Sequence, residues 1–348
     1  MLQRLLESRA LRWAFVAAAL AFGVVALVGY GAEVRAAARD LHWQAVVVAL
    51  VAATASVFVP VMGWRALMAG FGSPLRVTVA IRVVFLSQLG KYLPGSIWPF
   101  LAQVELGREH GVPRRRSLTV GLLTVGISLI MGLAVAAATL PLVSPTAARR
   151  YGWVLAATPL LLAMLHPYVL NRVLDRILRL TRRPPLESRL SLRTIAVAAA
   201  WATAGWLLAG AHIAVLAVDL GARGDSTYVA ATGAYALAWS VGFLVVFAPA
   251  GLGVREVALT AGLAPVLGTG EAVLVVIASR LLVTVADLLL ACVAVLLGRR
   301  HVAALPDELA EAASARAAAR GSAQESARGS AQQSAQESAQ ESALEPTD

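Results

Sequence analysis

Seven stretches of the chain, near 11–31, 42–63, 117–142, 151–170, 194–219, 227–248 and 272–298, are continuously apolar. Each is as long as the roughly 18–20 residues a helix needs to cross a bilayer. The runs are unbroken rather than alternating, which points to helices and excludes the strands of a membrane barrel. Composition agrees: 59% of the 348 residues are hydrophobic and 14% charged, against about a half and a quarter in soluble domains. An ordinary soluble enzyme is excluded, as is disorder over most of the length. The expected fold is an all-α polytopic membrane protein.

Charge divides the chain in two. Residues 301–348 hold eight acids and three arginines, while residues 1–300 hold 27 basic and 12 acidic residues. The expected organisation is a transmembrane domain over 1–300 and a cytoplasmic tail over 301–348. From Ser322 the tail repeats SAQE, SARG, SAQQ, SAQE, SAQE, SALE. Such a repeat has no large apolar residue to bury and is expected to be disordered. In a membrane protein a basic excess speaks of orientation and anionic lipid rather than nucleic acid. Arg4, Arg9 and Arg12, Arg114–Arg116, the arginines of 172–193, and Arg299 and Arg300 share one set of loops. By the positive-inside rule that set is cytoplasmic, and both termini with it, in the cytoplasmic membrane. The N-terminal apolar run exceeds the core of a cleaved signal and reads as the first anchored helix. Asn171–Arg193 is amphipathic and is expected on the cytoplasmic leaflet, or only as a determinant of topology.

Two further apolar segments are interrupted. The first, 77–107, breaks at Gly90-Lys91-Tyr92-Leu93-Pro94-Gly95-Ser96; the second, 248–268, breaks at Pro249-Ala250-Gly251-Leu252-Gly253. The loop charges require the first to enter and leave on one side, as a re-entrant hairpin, and the second to cross as a broken helix. The count is then about eight crossings plus the hairpin, and the placement of the breaks admits an inverted repeat. Irregular backbone at membrane depth persists where protein or a water-filled cavity satisfies its polar groups, and paired breaks in corresponding parts of a transporter meet at the substrate site. The alternative is that these Gly-Pro turns merely join short helices at the surface.

Each break carries charge. Lys91, the only lysine in the chain, precedes Pro94 and Gly95, which end a regular helix and permit unusual dihedrals. A new helix is expected near Ser96, whose hydroxyl can cap it, and its free amides beside Lys91 suit a phosphate headgroup. Lys91 snorkelling to the interface is the alternative. In the second break Arg255 and Glu256 are adjacent and so point about 100° apart on a helix. Arg255 can hold a phosphate bidentately. Glu256 can balance it or pair with Arg280; a purely structural ion pair is the alternative. In the last run Arg280, Thr284 and Asp287 share one helical face. Arg280 and Asp287 lie about 10 Å apart along it, so each should meet a residue of another helix and complete a pocket between the breaks. Arg82 is a weaker candidate, Gln88, Gln103 and Glu105 flank the first break, and Cys292, alone in an apolar run, is expected to be buried in packing.

Catalytic patterns are missing. The five histidines, at 42, 110, 166, 212 and 301, show no metal-ligand spacing, and His166 and His212 are expected as packed side chains. Neither a phosphate-binding glycine loop, a nucleophile elbow nor a dinucleotide fingerprint is present. Neither a metal nor a cofactor is expected.

The segments LSQLGKYLPGSIWPFLAQVELGREHG at 86–111, AYALAWSVGFLVVFAPAGLGVREVAL at 234–259 and ASRLLVTVADLLL at 278–290 resemble the lysylphosphatidylglycerol synthase transmembrane family, the flippase-like integral membrane proteins. The resemblance covers about residues 10–300, and Pro-x-Gly-x-Gly-x-Arg-Glu at 249–256 is its most specific part. It implies a helical lipid-handling domain, which in the namesake enzymes moves aminoacylated phosphatidylglycerol between leaflets after a separate cytoplasmic domain has made it. The residues it would make functional are Lys91, Pro94, Gly95, Gly251, Gly253, Arg255, Glu256 and Arg280. Many relatives have a basic residue directly after Pro-Gly; here Ser96-Ile97-Trp98-Pro99 stand there. Only the polar repeat follows, so no synthesis of the lysyl lipid is expected.

The expected function is that of a flippase-like protein translocating or binding an anionic or headgroup-modified phospholipid. The candidate substrate-binding residues are Lys91, Pro94, Gly95, Ser96, Gly251, Gly253, Arg255, Glu256, Arg280 and Asp287. Without an ATPase, movement would be downhill or ion-coupled, with Glu256 or Asp287 as proton carrier. The alternative is a non-transporting membrane partner that presents a lipid-linked precursor to a glycosyltransferase or other envelope enzyme.

Overall fold

In the computed structural model, residues 39–92, 97–143, 145–180, 189–224, 226–245 and 253–297 are described. They are helical, with no strand among them. The helices are α1 (Trp43–Phe58), α2 (Pro60–Gly70), α3 (Val77–Gln88), α4 (Trp98–Arg108), α5 (Arg114–Thr139), α6 (Pro145–Met164), α7 (Pro167–Leu180), α8 (Leu192–Asp219), α9 (Thr227–Leu244), α10 (Val254–Leu263) and α11 (Thr269–Leu297). The chain divides into two units, Met1–Val295 and Leu296–Asp348, and the first holds the candidate site. The expected first crossing at 11–31 and the tail 301–348 lie outside the described residues.

Four helices among the described residues are long and apolar enough to span a bilayer: Trp43–Gly70, which takes in α1 and α2, Arg114–Leu142, Leu192–Asp219 and Thr269–Leu297. The break in 77–107 leaves two short helices, α3 and α4, joined through a 3₁₀ turn at Leu89–Tyr92 and packed on one another. At 12 and 11 residues each reaches only about 17 Å of the roughly 30 Å of hydrocarbon. α10 is shorter still, at 10 residues.

Several boundaries differ from the sequence expectation. The run expected over 151–170 ends at Met164, and a turn at Leu165–His166 hands over to α7. α7 sets apolar Val169, Val173 and Leu180 beside Arg172, Arg176 and Arg179, and those three apolar side chains are exposed. The Asn171 amide clasps the chain beyond α7, with Nδ2 donating to the Leu190 carbonyl and Oδ1 accepting from the Leu190 N–H, both at 3.1 Å. α4 starts at Trp98, near the expected position, with Ile97 preceding it and no side-chain cap bond from Ile97. Pro99 occupies the first turn, where its missing N–H costs nothing. Ser96 itself lies outside the described residues.

The core lies among α1, α5, α8, α9, α10 and α11, and small side chains dominate it: Ala49, Ala53, Ala209, Ala231, Ala234 and Ala238 beside Ile213, Leu216, Leu263 and Val275. Water drives no helix association inside a bilayer, so close backbone approach must supply the packing. Gly210 of α8 illustrates it, lying so near Thr232 of α9 that a Cβ there would collide. α11 is apolar on both its faces, with two buried polar residues on the inner one. Leu281, Val285, Leu288 and Leu289 are exposed, while Ser279 and Asp287 are buried. A water-soluble helix would carry polar groups on its outer face; hydrocarbon as the outer solvent explains an apolar one. Cys292 falls on the exposed stripe, so the expectation that it is buried in packing fails. His166 is likewise exposed, with Nδ1 accepting from the Tyr168 N–H at 3.3 Å.

Candidate functional site

α11 supplies two charges on the face it turns inward, and each meets an interrupted segment. Asp287 Oδ2 stands 2.6 Å from Nζ of Lys91, in the turn after α3. Arg280 donates from Nε and Nη2 to Glu256 Oε1 of α10, each at 2.5 Å. The expectation that Arg280 and Asp287 find separate partners on other elements therefore holds, and Glu256 pairs with Arg280 rather than with Arg255.

The other Glu256 oxygen, Oε2, accepts the Gly253 N–H at 2.6 Å. The chain thus supplies its own anion at the start of α10, where unsatisfied amides favour negative charge. Gly253 turns the backbone into that helix with φ 84° and ψ −57°, a region closed to residues with a Cβ.

Arg255 has a different environment. Its Nη2 donates to the Tyr235 hydroxyl, and its guanidinium carbon lies 4.7 Å from the centre of the Tyr235 ring. The hydroxyl and the ring are neutral, so Arg255 keeps its full positive charge toward the space it faces. Tyr235 in turn packs edge-on against His212 and near Trp206, and Trp206, Trp239 and Phe243 continue the aromatic row. His212 is fully buried and bonds Ser279 Oγ through Nε2 at 2.8 Å, which fits the expectation of a packed histidine.

Lys91, Arg255, Arg280 and Asp287 all line one cavity of about 510 Å³. Its walls include Trp64, Phe100, Trp206, Tyr235 and Trp239, with Gln88 of α3 and Gln103 of α4. The volume is within the range, roughly 300–1,000 Å³, of sites that enclose small organic molecules. With three cations and one carboxylate on the wall, and Glu256 just behind Arg280, the lining carries a positive excess.

Among the ten predicted site residues, Lys91, Arg255, Arg280 and Asp287 come together in the cavity, and Gly253 and Glu256 set the geometry of α10. Pro94, Gly95, Ser96 and Gly251 lie outside the described residues. Arg82 pairs with Glu109 at 3.5 Å and does not line the cavity, while Glu105 bonds Arg108 on an exposed surface. Sequence reasoning missed Tyr235 and the aromatic wall. The signal was present: Tyr235, Trp239 and Phe243 recur every four residues, which puts them on one helical face. No group of three or more metal-binding side chains occurs among the described residues.

Bilayer-length helices around a polar, positively charged cavity define an integral membrane protein that keeps charge inside its bundle. The chain belongs to the family described as the lysylphosphatidylglycerol synthase TM region, whose model matches residues 13–291. No curated protein is similar enough to be matched with it.

Proposed function

We propose that this protein binds an anionic or headgroup-modified phospholipid and carries the headgroup across the cytoplasmic membrane, with Lys91, Arg255 and Arg280 as its cationic contacts. The observation that carries this is the electrostatic character of one cavity. Two of its cations are matched by carboxylates, whereas Arg255 is held by a neutral phenol. Arginine presents a planar fork suited to a phosphodiester. The aromatic and aliphatic walls accept the glycerol end of a lipid while its chains stay in the bilayer.

The family assignment supports a lipid-handling role, and the short α3 and α4 support a re-entrant hairpin. The basic loops support cytoplasmic termini, and residues 301–348, with the polar repeat from Ser322, form a separate tail. The protein acts by binding and transport, not catalysis. In liposomes reconstituted with the full chain, a fluorescent anionic phospholipid should equilibrate between leaflets, and Arg255→Ala should abolish this. An unchanged rate in the variant defeats the role given to Arg255. Tight lipid binding with no translocation by the wild type would favour the second reading, a membrane partner that presents a lipid-linked precursor to an envelope enzyme.

A further inference from the structure

The cavity also has uncharged polar groups that the anionic contact does not use. Gln103 of α4 is only 7% exposed and lines the cavity, and the bond it receives from Ser117 Oγ ends on its backbone carbonyl, not on its side-chain amide. Room for that amide is left by Gly121 of α5, where a Cβ would stand 2.6 Å from Gln103 Oε1. Gln88, the last residue of α3 and half-buried, lines the same cavity. Trp64 completes the group: it is 2% exposed, and its indole N–H has no partner among the described residues. A buried polar group such as the Trp64 N–H is almost always satisfied, by protein, water or ligand, and in a low-dielectric interior an unmet one is especially costly.

Resting on the anionic-lipid reading above, we propose that Gln103, Gln88 and Trp64 form a second subsite that takes a neutral, hydroxyl-rich headgroup extension, so that the preferred lipid is a polyol or glycosyl phosphodiester. Two amides that both donate and accept, an indole N–H and nearby aromatic faces match the edges and faces of a polyol ring. The cations hold the phosphate; the amides read what is attached to it. A site built to bond hydroxyls discriminates against a ligand that lacks them, because its own polar groups are then stranded.

The full chain is placed in phosphatidylcholine nanodiscs containing graded amounts of one of three lipids of equal charge: phosphatidylmethanol, phosphatidylglycerol or phosphatidylinositol. Occupancy is read by quenching of tryptophan fluorescence. The apparent affinity should rise about tenfold or more from the methanol to the inositol headgroup. Gln103→Leu should remove that rise while leaving the methanol headgroup's affinity within about twofold. Arg255→Gln should weaken all three. Equal affinities in the wild type, or a rise that survives Gln103→Leu, overturn the second subsite and leave the anionic reading standing. Failure of all three lipids to bind, or indifference of all three to Arg255→Gln, overturns both. Should Gln103→Leu fail to elute as a single folded species, Gln88→Leu replaces it with the same expected loss.

Discussion

Lys91 Nζ lies 2.6 Å from Asp287 Oδ2, so the only lysine of the chain, in an interrupted segment of its first third, is held by a carboxylate of α11. The Asp287 side chain is 2% exposed and that of Lys91 32%. Removing one member of such a pair strands the other. Lys91→Met and Asp287→Leu should each lower the thermal midpoint in nanodiscs. The double variant should recover part of the loss, with a coupling of about 1–3 kcal/mol. Strict additivity of the two losses would show that the contact contributes nothing.

Arg255 depends on the shape of its head group as well as its charge. Arg255→Lys keeps the charge but loses the planar fork over Tyr235, and should weaken anionic-lipid binding about tenfold, corresponding to roughly 1.4 kcal/mol. Tyr235→Phe keeps the ring and removes only the hydroxyl, so its effect should be smaller than that of Arg255→Lys. Titration of both variants against the same anionic lipid checks the order, and a larger loss in Tyr235→Phe contradicts it.

Gly253 turns the chain into α10 at a positive φ with negative ψ. Gly253→Ala should destabilise the protein by about 1–3 kcal/mol. The Cβ meets open space there, so the penalty comes from backbone strain rather than collision. Asparagine, which tolerates the ordinary left-handed region, should not rescue the site. A thermal midpoint equal to wild type in Gly253→Ala would count against this turn.

The parts of this fold legible in the sequence are those set by local pattern. The apolar run at 194–219 became α8, and the spacing of Arg280, Thr284 and Asp287 correctly put them on one face. Partners across helices were not legible. Nothing near Lys91 names Asp287, because that meeting depends on how α11 packs beside the turn after α3. The choice of Glu256 between Arg255 and Arg280 was equally closed, since only the direction of α10 decides it. Cys292 was misjudged for a related reason: in a bilayer the outer face of a helix is as apolar as the core, so hydrophobicity alone does not separate packed from lipid-facing positions.

Close approach of α8 and α9 rests on Gly210, where any side chain would strike Thr232. Gly210→Val should push the two helices apart and cost about 1–3 kcal/mol from overpacking. Pairing it with Thr232→Ala should return part of that loss. Thermal unfolding of the single and double variants in nanodiscs decides this; no recovery in the double variant would place the conflict elsewhere.

Because Arg280 and Asp287 sit two turns apart on one continuous helix, α11 is a single element with two latches, one on the turn after α3 and one on α10. A twist of that helix about its own axis would draw on both latches at once, which ties distant stretches of the chain into one mechanical unit.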